Sequence, residues 1–325
     1  MKLWRPDHAV IGPQLPTNAD IPALNRIFSD SFTDRYRRDG LVGVRVPPLN
    51  AQIWRYALQD AGAGAMVWRD EEDQLIAFNV AHRSGLEGWM GPLAVRPDRQ
   101  GLGLGKAVVQ SAVEWLREQR LTTIGLETMP RTVENIGFYS RLAFIPGYLT
   151  VTLTGDVPTN VRSLRPAFVR LGDLPPRDRD ELLAACRERL GSSAPGCDFT
   201  REHELTAELG IGDTIVLDGN GIEGFALWHS APLAEARPAE ELRVLKLFAA
   251  NGDAFGRLLV ALEACAAKLR IRRVAVRCQT QYAEGYRLLV DRGYRVRWTD
   301  LRMTLAGYPE PVVPEGEILF SNWEI

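Results

Sequence analysis

Cysteine and histidine are scarce, four of each in 325 residues, and the placement of the cysteines excludes whole chemistries. Cys186, Cys197, Cys265 and Cys278 form no CxxC pair and have no histidines beside them at metal-ligand spacing, so neither a disulfide framework nor a metal site is expected. They read as reduced structural thiols. No apolar run approaches the 18 or so residues that a membrane helix needs. The opening stretch MKLWRPDHAV has Pro6, Asp7 and His8 where a signal peptide needs an apolar core, so a cytoplasmic location without a membrane partner is expected. An excess of one charge is also missing. Lys and Arg number 39 against 41 Asp and Glu, a formal net charge of −2, so no global basic field recruits nucleic acid. A small molecule is the expected partner.

What the chain does have is a glycine-rich loop. The run LAVRPDRQGLGLGK, Leu93 to Lys106, reads as a strand, a short turn and a loop opening onto a helix. Gly101, Gly103 and Gly105 remove the side chains that would keep a phosphate from the main chain, and the helix adds the positive end of its dipole. A pyrophosphate fits there. Spacing separates the phosphate-loop families. A P-loop needs glycine at position 100 and Ser or Thr after the lysine, where this chain has Gln100 and Ala107. A dinucleotide fingerprint needs a glycine at the sixth position from Gly101, where Lys106 stands.

The pattern that remains, QxxGxG at Gln100, Gly103 and Gly105 after a strand ending LAVRP, resembles the acetyl-CoA loop of the GNAT superfamily of N-acetyltransferases. Downstream, a helical stretch NIGFYSRLAFIPGY is similar to the family's FYxxxGF motif: Phe138, Tyr139 and Phe144 match, and Ala143 stands where the family usually has glycine.

The halves also resemble each other. At an offset of 151 Gln100 falls on Asn251, Gly101 on Gly252, Gly105 on Gly256 and Lys106 on Arg257. Periodicity predicts six strands and four helices in each half. The stretch GDVPTNVRSLRP reads as a linker, giving a boundary near residue 160. The expected fold is therefore α/β (α+β): a GNAT domain at 1–158 and a degenerate GNAT-like domain at 159–325. Each is a mixed, mostly antiparallel sheet flanked by helices, with a V-shaped cofactor cleft. In the second copy Leu102 becomes Asp253 and Gly103 becomes Ala254, Tyr139 falls on Leu289, and Glu127 falls on Cys278. Catalysis is expected in the first half, and the fused copies make a monomer the expected state.

The resemblance implies acetyl-CoA as co-substrate, no metal, and transfer to a primary amine of a small molecule by direct attack on the thioester. Acceptors in a protein or a thiol-cofactor precursor, and an acyl-CoA-binding protein without turnover, are the alternatives. The main chain of Gly101, Leu102, Gly103, Leu104, Gly105 and Lys106 would hold the pyrophosphate, with Gln100 bracing the turn. Lys106 either adds charge or is a solvated first-turn residue. By resemblance the pantetheine arm adds to the sheet beside Leu93, Ala94 and Val95. Pro92 cannot donate an N–H, so the strand should bulge or splay there. Tyr139 is the candidate general acid for the departing thiolate, and Asn135, one turn earlier, either bonds the cofactor arm or caps the helix. Glu127, at a strand end, is the candidate base, with Glu87 and His82 weaker ones. Two amino-terminal helices, 18–36 and 50–61, should build the acceptor pocket, where Asp30, Asp34 and Glu127 favour a cation and Arg35, Arg37 and Arg38 a carboxylate. The tail with Trp323 either crosses the cleft or supplies a closing strand.

Overall fold

The computed structural model describes residues 9–158 and 167–323. The first half runs β1 (Ile11–Gln14), α1 (Ile21–Arg38), α2 (Ala51–Ala61), β2 (Ala65–Arg69), β3 (Leu75–Ser84), β4 (Glu87–Val95), α3 (Leu104–Glu118), β5 (Thr123–Thr128), α4 (Val133–Ser140) and β6 (Phe144–Asp156). The same succession follows: β7 (Val169–Arg170), α5 (Pro176–Ser193), α6 (Thr200–Leu209), β8 (Gly212–Asp218), β9 (Ile222–His229), β10 (Glu241–Ala249), α7 (Gly252–Lys268), β11 (Arg273–Gln279), α8 (Ala283–Asp291) and β12 (Arg295–Leu305). One strand is added, β13 (Ile318–Ser321). The boundary expected near residue 160 lies outside the described residues.

Period-2 alternation sorts the first half into two layers. Ala65 and Val67 of β2, with Phe78 and Val80 of β3, pack with Leu24 and Ile27 of α1 and with Trp54 and Ala57 of α2. Their neighbours Met66, Trp68, Ala77 and Ala81 face the other side, against α3. Helix α3 buries Leu104, Val108, Ala112 and Leu116, a four-residue spacing that makes one stripe. The chain leaves α4 through Ala143, whose φ of +68° lies in the left-handed region. That conformation explains why glycine is usual at this position of the motif.

All thirteen strands join one sheet, in the order β1-β2-β3-β4-β5-β12-β6-β11-β10-β9-β8-β7, with β13 pairing β10. The halves therefore exchange their last strands. β12 of the second half lies between β5 and β6, and β6 of the first half lies between β12 and β11. The register exposes a pseudo-twofold axis: when 150 is added to or taken from their numbers, the pairing of Glu127 with Arg302 maps onto that of Arg277 with Thr152, and the pairing of Thr150 with Asp300 maps onto itself. The equivalent of Glu127 is thus Arg277. This corrects the assignment to Cys278, for a slip of one residue in a strand moves the side chain to the opposite face.

A second correction concerns α2. It contributes no residue to the cavity between β4 and β5; Ile53 and Tyr56 pack against Leu205 of α6, Ile211 and Ala231, joining the two halves.

All four cysteines are free and buried. Burial pushes the thiols up, Cys186 and Cys278 to about 12 and Cys265 to about 11, and Cys197 is raised as well. The native protein should show no rapid reaction with an aromatic disulfide reagent at pH 8 and four reactive thiols in denaturant; a fast native thiol would contradict this packing.

Candidate active site

Strands β4 and β5 run parallel only from Glu87–Met90 against Thr123–Leu126. Beyond Met90 they part. Leu93, Ala94 and Val95 keep their partners on the β3 side alone, and the β3–β4 register shifts by one between Asn79 and Ala81, where Gly91 and Pro92 together oppose Val80. The splay opens a cavity of about 280 Å3. Its walls are Ser31, Phe32, Asp34, Arg35 and Arg38 of α1, Met90–Val95 of β4, Gln100, Leu126–Met129, and Asn135, Phe138 and Tyr139 of α4. Asp300 of β12 closes it.

The glycine loop adjoins the cavity through Gln100. Gln100 donates its Nε2 to the Val95 carbonyl at 3.0 Å, bracing the turn as the spacing suggested. Gly101 and Gly103 have φ of +77° and +87°, and a Cβ at either would meet nothing within 4 Å. Glycine is required there by backbone conformation, and the space outside stays open. Among the described residues, the N–H groups from Gly101 to Gly105 make no backbone hydrogen bond; the next two, of Lys106 and Ala107, bond to the Gly103 carbonyl. Free amides at a helix N-terminus fit a pyrophosphate. Lys106 and Leu102 are exposed.

Tyr139 lines the cavity, 7% exposed, edge-on to Phe144 and Phe138. Burial pushes its phenol well above the usual 10, so it stays protonated across the working range. Asn135 is one turn earlier on α4 and lines the same cavity. The N-cap of α4 is Thr132, so the capping alternative for Asn135 falls away.

A family model described as Acetyltransferase (GNAT) family matches residues 22–144. That segment holds α1, the splayed strands, the glycine loop and Tyr139. Residues 22–144 are a GNAT-family acetyltransferase domain. An uncharacterized N-acetyltransferase, ycf52, of Pyropia yezoensis is 33% identical over 78 residues, 24% of this chain and 43% of that protein's length. The chain thus matches less than half of that relative. For the fold alone, a GCN5-related N-acetyltransferase from Sphaerobacter thermophilus superposes with a TM-score of 0.59 at 16% identity, over 98% of this chain and 99% of that one. A tandem GNAT protein from the clavulanic acid biosynthesis pathway gives 0.60 at 12% identity, over 94% of this chain and 100% of that one. The tandem GNAT fold accounts for the repeated succession of elements. GNAT proteins use acyl-CoA donors, and the loop and splay suit one.

The GNAT domain's Glu127 lines the cavity, but its oxygens are taken. Oε1 accepts from Arg302 Nη1 at 2.8 Å and Thr150 Oγ1 at 2.5 Å, and Oε2 pairs with Arg277. Burial would raise its pKa; Arg277, Arg302 and the Thr150 hydrogen bond outweigh that and hold it below the usual carboxylate range. A carboxylate so held is a weak proton acceptor. Glu87 accepts from Trp89 Nε1 and Ser321 Oγ, His82 bonds Asp60 through Nδ1 at 2.8 Å, and neither lines the cavity. Asp30 and Arg37 are likewise outside it.

Asp300 is the site residue that sequence reasoning missed. It lies 161 positions beyond Tyr139, in the other repeat, and only the strand exchange brings it to this cavity. The signal available was the Trp298–Asp300–Arg302 alternation in β12, which puts three side chains on one face.

In the second half the corresponding cleft is filled. β10 and β11 run parallel at Glu241–Val244 and then part, as β4 and β5 do. The C-terminal strand β13 pairs antiparallel with Lys246–Ala249 of β10, and Leu247–Ala249 are the register equivalents of Leu93–Val95. Phe320 lies edge-on to Phe255 and Tyr282. The tail therefore supplies a strand within the second cleft, while Trp323 packs between the halves against His82 and Trp89. The glycine loop has closed as well: α7 begins at Gly252, and Asn251 Oδ1 accepts from Ala254 N at 2.9 Å.

Proposed function

We propose that the protein is an acetyl-CoA-dependent N-acetyltransferase that moves an acetyl group to the primary amine of a small molecule, working as a cytoplasmic monomer. In this reading residues 1–158 are the catalytic domain and residues 159–325 a degenerate GNAT-like domain. The observation that carries it is the contrast between two equivalent clefts, one open beside free loop amides and one filled by the chain's own β13.

Bound donor would supply a thioester carbonyl and a thiolate leaving group. The amides of Gly101 to Gly105 hold its diphosphate, with Lys106 beside them. The main-chain edge of Leu93 to Val95 that has no strand partner on the β5 side would pair with the amide-bearing arm and offer an N–H to the acetyl oxygen, stabilising charge as the amine adds. Asn135 bonds the arm, and Tyr139 protonates sulfur. Of the cavity's arginines, Arg35 pairs with Asp39 and Glu134, and Arg38 with Asp34. Those guanidiniums already have carboxylate partners, which supports an amine acceptor over an acid.

Calorimetric titration with acetyl-CoA tests the reading. One site per chain is expected, and Gly103→Glu should abolish it, because the change strains a φ of +87° and places a carboxylate on the loop. Absence of binding would remove the assignment, and two sites would mean that β13 yields its cleft.

A further inference from the structure

We propose that Asp300, carried into the first half's cavity by the exchanged strand β12, is the general base that takes the proton from the substrate ammonium. The inference rests on the acetyltransferase reading and assigns the second half a chemical role in it.

Position comes first. Asp300 is the second-half residue in the lining of a cavity otherwise built from first-half residues. It faces the cleft at the level of Leu126–Met129, on the pseudo-twofold axis, directly opposite Thr150. Trp298 Nε1 donates to Oδ1 and Arg277 Nη2 to Oδ2, both at 3.1 Å, which fixes the carboxylate without using all its lone pairs.

The surroundings divide labour between two carboxylates. Arg277 of β11 reaches both Glu127 of β5 and Asp300. Glu127 also holds Arg302, so it keeps its charge and gives Asp300 a permanent anion for a neighbour. Tyr36 of α1 also feels Asp300, and its ring packs on Trp298 at 5.6 Å. The α1 wall adds Asp34, Arg35 and Arg38, paired as described above. Burial pushes Asp300 up; Arg277 opposes this, Glu127 adds to it, and the result is about 6. Such a carboxylate is ionised at neutral pH yet basic enough to receive a proton. The pair obeys a general pattern in which neighbouring acids are driven apart by environment and take different roles.

The step balances. Asp300 accepts one proton from R–NH3+, freeing the nitrogen lone pair. The N–C bond forms as the C–S bond breaks, Tyr139 gives its proton to sulfur, and the second proton leaving nitrogen restores the phenol. Asp300 then releases its proton to water, so one proton leaves per acetyl group transferred.

The test is the pH profile of kcat/KM for wild type, Asp300→Asn and Asp300→Glu with acetyl-CoA and a panel of primary amines, alongside calorimetric acetyl-CoA affinity. Wild type should lose activity below an acid limb near pH 6. Asp300→Asn should lower kcat/KM about 10²-fold, erase that limb and leave acetyl-CoA affinity within twofold. Asp300→Glu, which keeps the carboxylate should the amide disturb folding, should retain a limb at a displaced pH. Near-wild-type turnover with the limb intact in Asp300→Asn, or an undisplaced limb in Asp300→Glu, overturns the role of Asp300 while the acetyltransferase reading stands. A wild type that binds acetyl-CoA but acetylates no amine overturns both.

Discussion

Tyr139→Phe should lower kcat about 10³-fold while acetyl-CoA affinity stays within twofold of wild type. The ring is buried among Phe138 and Phe144, and phenylalanine keeps its volume and its edge contacts, so neither the core nor the cavity should change shape. Only the hydroxyl is lost. That hydroxyl is a weak acid made weaker by burial, which suits it to give a proton to a thiolate forming beside it and then to recover that proton at once. A donor held in place contributes through alignment more than through acidity, so the loss should appear in kcat rather than in binding. Single-turnover kinetics with saturating acetyl-CoA measure it directly. Turnover unchanged across the amine panel would remove Tyr139 from the chemistry and leave it a core residue.

The glycine loop was legible in the sequence because its requirement is local. Gly101 and Gly103 answer a backbone conformation that a short segment imposes on itself, and Gln100 reaches a carbonyl five residues away. The same holds for the splay at Pro92, whose missing N–H speaks for itself, and for the order of strands and helices. Asp300, Arg277 and Arg302 were illegible for the opposite reason. The alternation in β12 sets Asp300 and Arg302 on one face, but which cleft that face meets depends on β12 lying between β5 and β6, and Arg277 reaches the site only because β11 pairs with β6; both pairings are set by the exchange of strands between repeats. Self-alignment on the loop also carried an offset of 151 into a strand whose register is 150, which set Cys278 where Arg277 belongs and hid the ion pair with Glu127. The loop between β10 and α7 is shorter than its counterpart, so no single offset serves the whole repeat.

Arg302 joins the two halves through Glu87 and Glu127, and Arg302→Met should cost about 3–5 kcal/mol of stability in urea unfolding. The side chain is 1% exposed and lies over the Trp89 ring at 3.7 Å. Its guanidinium meets Glu127 at 2.8 Å, Glu310 at 2.9 Å and Glu87 at 4.0 Å, and also reaches the Ser321 carbonyl at 3.4 Å. Methionine fills the stem's volume, so the change isolates the charge. Glu310 and Glu87 would then lose the guanidinium they meet, and Glu127 would keep only Arg277, which it shares with Asp300. The pH dependence distinguishes this from a packing defect. Without the guanidinium, Glu127 should lose one of the two cations that hold it below the usual range, and Glu310, which burial already raises, should lose the cation that opposes that rise, so both should shift upward and the native protein would hold more protons than the unfolded chain. Stability would then fall as pH rises from about 4.5 toward neutral, and the deficit against wild type should widen over that interval. Adding Glu310→Gln should recover part of the loss by removing one uncompensated anion. A deficit under 1 kcal/mol, or one that does not change with pH, would mean that the arginine contributes packing over Trp89 rather than the charge that holds the exchanged strand in place.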